Sequence, residues 1–196
     1  MRWTMIASLV GASLFAVPAG GAQPDASATW ETAEAEIARC FEAMDNDPAL
    51  KAVNAKYARR NPTQAQLGDP AFATEIEAAA LRLRIAKTRP CREMRLEAVA
   101  KFRPLLEPSY RILYYQADQV ILYLVDGLIS YGMANKLAQE SFGAFERRGE
   151  ALAKADDAAA LSNAWLEQLQ RAHSNPPPNG PVKSCRWEEL NLACER

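Results

Sequence analysis

The chain has 196 residues, with 23 basic and 24 acidic side chains and a formal charge of −1. That near-balance speaks against nucleic acid or an anionic membrane surface as partner, since both select a basic face. One histidine and four widely spaced cysteines are poor material for a zinc site, so neither a metal nor another cofactor is expected.

In chain order, the first segment has the three parts of a secretory signal. Arg2 precedes an apolar stretch from Met5 to Val17, and the small residues Ala19-Gly20-Gly21-Ala22 follow. Cleavage after Ala22 places Gly20 and Ala22 where the peptidase requires small side chains; cleavage after Ala19 is the competitor. An uncleaved anchor needs about 20 apolar residues, more than are present here. Residues 1–22 are therefore expected to be removed on export, giving a periplasmic or secreted protein with no membrane span in the mature chain. Loss of Arg2 leaves 22 basic groups against 24 acidic ones.

Residues 23–173 read as one helical domain. Thr29 can cap a helix to about Asp45, with Ile37, Phe41 and Met44 on one face and Cys40 beside them. Asp47-Pro48 opens a second helix to about Arg60, which Asn61-Pro62 ends. Asp69-Pro70 repeats the device for a helix through Lys87, and Thr88-Arg89-Pro90 resets the chain for another through Arg103. After a turn between Pro104 and Pro108, the longest periodic region runs from Ser109 to Ala155, with a kink or break expected near Asp126-Gly127. Asp156 or Asp157 caps a last long helix through His173.

Residues 174–183 form a Pro-rich tether, and residues 184–196 a Cys-flanked tail. No window sustains two-residue alternation, so no sheet is expected. The fold class is all-α: an antiparallel bundle of five or six helices with a disulfide-containing C-terminal tail.

In an oxidising compartment Cys40, Cys91, Cys185 and Cys194 read as structural disulfides, with three pairings open. A straight helix would set Cys185 and Cys194 roughly 13 Å apart, beyond disulfide reach. Either the tail bends and staples itself or it is helical and pins elsewhere. The preceding prolines favour Cys40–Cys91 with Cys185–Cys194.

The segment from Tyr110 to Met133 holds five of the six tyrosines and is apolar all round, as a central helix should be. Arg111, Tyr115 and Asp118 fall on one of its faces, with Leu122 continuing it. They are a candidate ligand pocket, Asp118 serving as acid or base and Arg111 holding an anion; the alternative is an internal ion pair completed by tyrosine hydroxyls. The basic run Arg82, Arg84, Lys87, Arg89, Arg92 and Arg95 reads as a solvated face. In the tail, Trp187 and Leu190 either pack back on the bundle or present a tethered interaction knob.

No CxxC, nucleophile elbow or phosphate loop occurs. The expected function is that of an exported binding or interaction protein with a protein partner in the cell envelope, such as an adaptor, inhibitor or chaperone-like subunit. The alternative is a small helical enzyme or ligand-binding bundle using the Tyr-rich helix.

Overall fold

The structure, a computed structural model, describes residues 26–58, 60–173 and 184–195, with side chains from Trp30 onward. The signal segment 1–22 and the tether 174–183 lie outside the described residues. Among the described residues there are seven α-helices: α1 (Ala26–Asp45), α2 (Lys51–Lys56), α3 (Gln64–Leu67), α4 (Glu75–Phe102), α5 (Glu107–Val125), α6 (Tyr131–Lys154) and α7 (Ala158–Ala172). Helix α4 packs between α1 and α5, α5 packs in turn on α6, and α7 lies against both α5 and α6. The apolar face expected of α1 is buried: Ile37, Phe41 and Met44 join Leu81 and Val99 of α4 and Val120 and Leu124 of α5 in one core. Among the described residues no helix is long and apolar enough to cross a membrane.

The expected all-α class holds, with one correction. The tail is a β-hairpin, β1 (Ser184–Glu188) antiparallel to β2 (Asn191–Glu195), with Cys185 directly opposite Cys194. A two-residue connection closes it, and Glu189 there takes a left-handed conformation, φ 55°. In β1 the alternation is present, Cys185 and Trp187 turning inward and Arg186 and Glu188 outward, but it lasts too few residues to register as a period. The disulfides are Cys40–Cys91, with Cα atoms 5.6 Å apart, and Cys185–Cys194 at 4.2 Å.

Several boundaries differ from expectation for physical reasons. Helix α1 is already formed at Ala26, ahead of Thr29. After Asp47, whose carboxylate accepts from the Ala49 amide, a 3₁₀ turn (Pro48–Leu50) leads into α2, and that helix stops at Lys56 rather than Arg60.

The next two helices start on Thr-x-x-Gln and Thr-x-x-Glu capping boxes, Thr63 with Gln66 and Thr74 with Glu77. Asp69-Pro70 starts no helix. The Asp69 and Ala71 carbonyls instead accept from the Gly132 and Tyr131 amides at 2.7 and 2.8 Å, so this stretch caps the N-terminus of α6. A Cβ on Gly132 would sit 2.7 Å from the Leu67 and Asp69 carbonyl oxygens, which is why glycine stands there.

Pro90 does not break the chain; α4 runs through it for 28 residues. Proline removes the amide that would bond the Ala86 carbonyl, but Ala86 and Pro90 both lie on the exposed side, where water can take that carbonyl. The expected break at Asp126-Gly127 is present, with Gly127 at φ 65°, and Ser130 and Asp157 cap α6 and α7.

Glu77 gives the fold an acid-sensitive joint. The Lys56 ammonium 2.7 Å away, helped by the Thr74 amide and hydroxyl, holds its carboxyl below the ordinary value. A depressed folded-state pKa contributes stability that is present above the unfolded value of about 4.3 and is lost as pH falls through the folded one. Thermal melts between pH 6 and pH 3 should therefore fall more steeply for the native chain than for Glu77→Gln. Parallel curves would remove Glu77 from the acid response.

Candidate ligand-binding site

A cavity of about 280 Å³ lies where α1, the α2–α3 connection, α4, α5 and α6 meet. Helical periodicity supplies its walls. Arg84, Thr88, Arg92 and Arg95 recur at three- and four-residue steps along α4, and Tyr110, Tyr114, Ala117 and Ile121 do the same along α5. Helix α1 adds Glu34 and Phe41, the α2–α3 connection adds Tyr57 and Arg60, and α6 adds Phe142, Phe145 and Glu146. The Cys40–Cys91 bridge ties α1 to α4 one residue from Phe41 and one from Arg92, fixing two walls relative to each other.

Among the described residues four guanidinium groups meet this cavity, and their partners differ. Arg92 bonds Asp118 at 2.6 Å and lies over the Tyr114 ring, 5.0 Å from its centroid. Arg95 reaches Glu34 and the Tyr110 hydroxyl, both at 3.4 Å, and lies over the Tyr110 and Phe41 rings. Arg60 pairs with Glu146 at 3.3 Å beside Phe142.

Arg84 is the exception. It is 3% exposed, bonds the neutral Asn54 amide oxygen, and finds its nearest carboxylate, Asp45, only at 3.8 Å. Burial pulls its pKa below the usual guanidinium value; Tyr57, over whose ring it lies, and then Asp45 oppose that shift, and nearby Arg92 adds to it. A buried cation so weakly neutralised favours any anion that can reach it. Planar guanidiniums over aromatic faces, in a concave and partly apolar space, are chemically suited to a small organic anion.

The chain matches no protein-family model, no curated protein and no solved structure.

The structure separates the residues expected to form a pocket. Arg111 is on the solvent side of α5, paired with Glu107 one turn away at 2.6 Å. Tyr115 donates its hydroxyl to the Ala172 carbonyl at 3.1 Å and rests its ring on His173, fastening the end of α7. Asp118 alone reaches the cavity, indirectly, through Arg92. The internal pair of Arg111 with Asp118 is not formed either.

The basic run expected as a solvated face divides in two. Arg82, Lys87 and Arg89 are exposed, whereas Arg84 is buried and Arg92 and Arg95 are largely so. In the tail, Leu190 is buried against Ile112, Leu169 and Ala172, and the Trp187 indole donates to the Leu137 carbonyl at 3.1 Å. Both side chains pack back on the bundle.

Proposed function

We propose that this chain is an exported binding protein for a small organic anion with a flat or apolar body, held in the arginine- and tyrosine-lined cavity. The observation that carries the reading is Arg84: a guanidinium 3% exposed, on the wall of a cavity of about 280 Å³, with no carboxylate closer than 3.8 Å among the described residues. Export is supported by the signal-like segment 1–22 and by the pairing of all four cysteines. A protein partner in the envelope had Trp187 and Leu190 as its presented side chains; since both are packed inward, the cavity supports a ligand better than the tail supports a docking knob.

Calorimetric titration of the purified protein with benzoate, benzyl alcohol and benzylamine tests this, since the three share a ring and differ in charge. Benzoate should bind saturably, benzyl alcohol about ten-fold more weakly, and benzylamine not at all. Arg84→Met should weaken benzoate by about ten- to hundred-fold, with Arg84→Lys retaining part of the affinity. Benzylamine binding as well as benzoate would overturn the reading, whether or not the Arg84 variants fold; so would undiminished benzoate binding in a folded Arg84→Met.

A further inference from the structure

We infer that Glu34 and Glu146 restrict the cavity to ligands bearing a single negative charge, which Arg84 receives. This rests on the anion-binding reading and adds its charge selectivity. Three of the four cavity guanidiniums already hold a carboxylate: Arg92 has Asp118 at 2.6 Å, Arg60 has Glu146 at 3.3 Å and Arg95 has Glu34 at 3.4 Å. Among the described residues one weakly neutralised cation, Arg84, remains, and its single charge calls for one anionic group.

The spatial order matters as much as the count. Glu34 and Glu146 are themselves wall residues, and their side chains are 47% and 59% exposed, against 4% for Arg84. The negative groups on the wall are thus open to solvent, whereas the under-neutralised cation is shielded from it. A ligand entering anion-first places its charge on Arg84 and its body among the Tyr57, Tyr110, Tyr114 and Phe142 rings. A second anionic group at the far end of that body would come against Glu34 or Glu146, in contact with guanidiniums they already occupy. Juxtaposed like charges are how a site excludes a wrong partner.

The deciding comparison uses benzoate, the dianion terephthalate and its monomethyl ester, which has the length of terephthalate but a single charge. Titrations would cover the native protein, Glu34→Gln, Glu146→Gln and the double variant, with circular dichroism confirming the fold of each. In the native protein, benzoate and the monomethyl ester should bind alike and terephthalate about ten-fold more weakly. In the double variant terephthalate should gain about ten-fold or more, because Arg60 and Arg95 are released to bind its second carboxylate, and it should gain more than benzoate does, so that the terephthalate-to-benzoate ratio rises.

Terephthalate binding the native protein as tightly as benzoate would overturn the inference, as would a terephthalate-to-benzoate ratio unmoved by the double variant. Rejection of the monomethyl ester along with terephthalate would assign the discrimination to length and overturn it too. In all three cases benzoate binding keeps the anion-binding reading intact. Failure of benzoate to bind the native protein removes both.

Discussion

Replacing Cys40 and Cys91 together by alanine should lower the unfolding free energy by about 4 kcal/mol, because the bridge closes a 51-residue loop whose entropy the unfolded chain would regain. The Cys185–Cys194 bridge spans 9 residues, for which the same relation gives about 2.6 kcal/mol. The two differ more in what they hold than in loop length. Cys185–Cys194 pins two strands already paired in a hairpin, so opening it frees a local unit. Cys40–Cys91 joins α1 to α4 beside Phe41 and Arg92, so its loss lets two cavity walls drift apart. Urea unfolding of the two double variants should show the larger loss for Cys40/Cys91, and benzoate affinity should fall in that variant while the tail variant keeps it. Equal losses with equal affinities would mean that the α1–α4 interface holds its geometry without the bridge.

Why the cavity was not legible in the sequence turns on one proline. With Pro90 taken as a break, Arg84 belongs to one helix and Arg92 and Arg95 to another, and no single stripe runs through them. Once α4 is continuous, Arg84, Thr88, Arg92 and Arg95 fall on one face by spacing alone. Proline's cost depends on which side of a helix loses the bond, and that depends on tertiary burial, which a single sequence does not display.

The Tyr-rich helix raised a related problem. Its apolar residues surround it, so its polar groups could be assigned to any face. The set Arg111, Tyr115 and Asp118 lies one position round from the cavity stripe Tyr110, Tyr114, Ala117 and Ile121. Arg111 had a satisfying partner in Glu107, four residues earlier, and that spacing was visible. The capping boxes at Thr63 and Thr74 were visible as well, but the Asp-Pro signal ahead of the second one competed with it. What decided the contest was the N-terminus of α6, whose amides needed the Asp69 and Ala71 carbonyls. The disulfide pairing was favoured by the prolines ahead of the tail, because only a bent tail could join Cys185 to Cys194; the hairpin that makes the bend was not legible, because strands this short carry almost no periodicity.

Asn135→Ala should cost about 3 kcal/mol and weaken the cavity at the same time. Asn135 is fully buried on α6, and its amide reaches across to the α2–α3 connection. Its oxygen accepts from the Ala58 amide at 2.8 Å, and its nitrogen donates to the Lys56 and Gln66 carbonyls at 2.9 and 3.0 Å. Alanine would leave one amide and two carbonyls without these partners, each worth about 1–3 kcal/mol if no water takes the place of the side chain, with partial relaxation lowering the sum. The same connection carries Tyr57 and Arg60 into the cavity, so loosening it should also reduce benzoate affinity.

Asn135→Asp separates the hydrogen-bond pattern from side-chain volume. An ionised carboxylate keeps the bond from Ala58 but turns a second acceptor toward two carbonyls, so this nearly isosteric change should cost at least as much as alanine at pH 7. Burial and the facing carbonyls raise the introduced carboxyl's pKa, and its protonated form can donate to one carbonyl. Relative to the native chain, Asn135→Asp should therefore recover stability as pH falls from 7 to 4, in the opposite sense to the acid-sensitive Glu77 joint. Urea unfolding at both pH values reads this directly. A penalty for Asn135→Ala below about 0.5 kcal/mol, or one for Asn135→Asp that ignores pH, would show that the connection holds its place without this amide. The expected pattern makes one buried side chain the fastening for both the α2–α3 connection and the wall it contributes to the cavity.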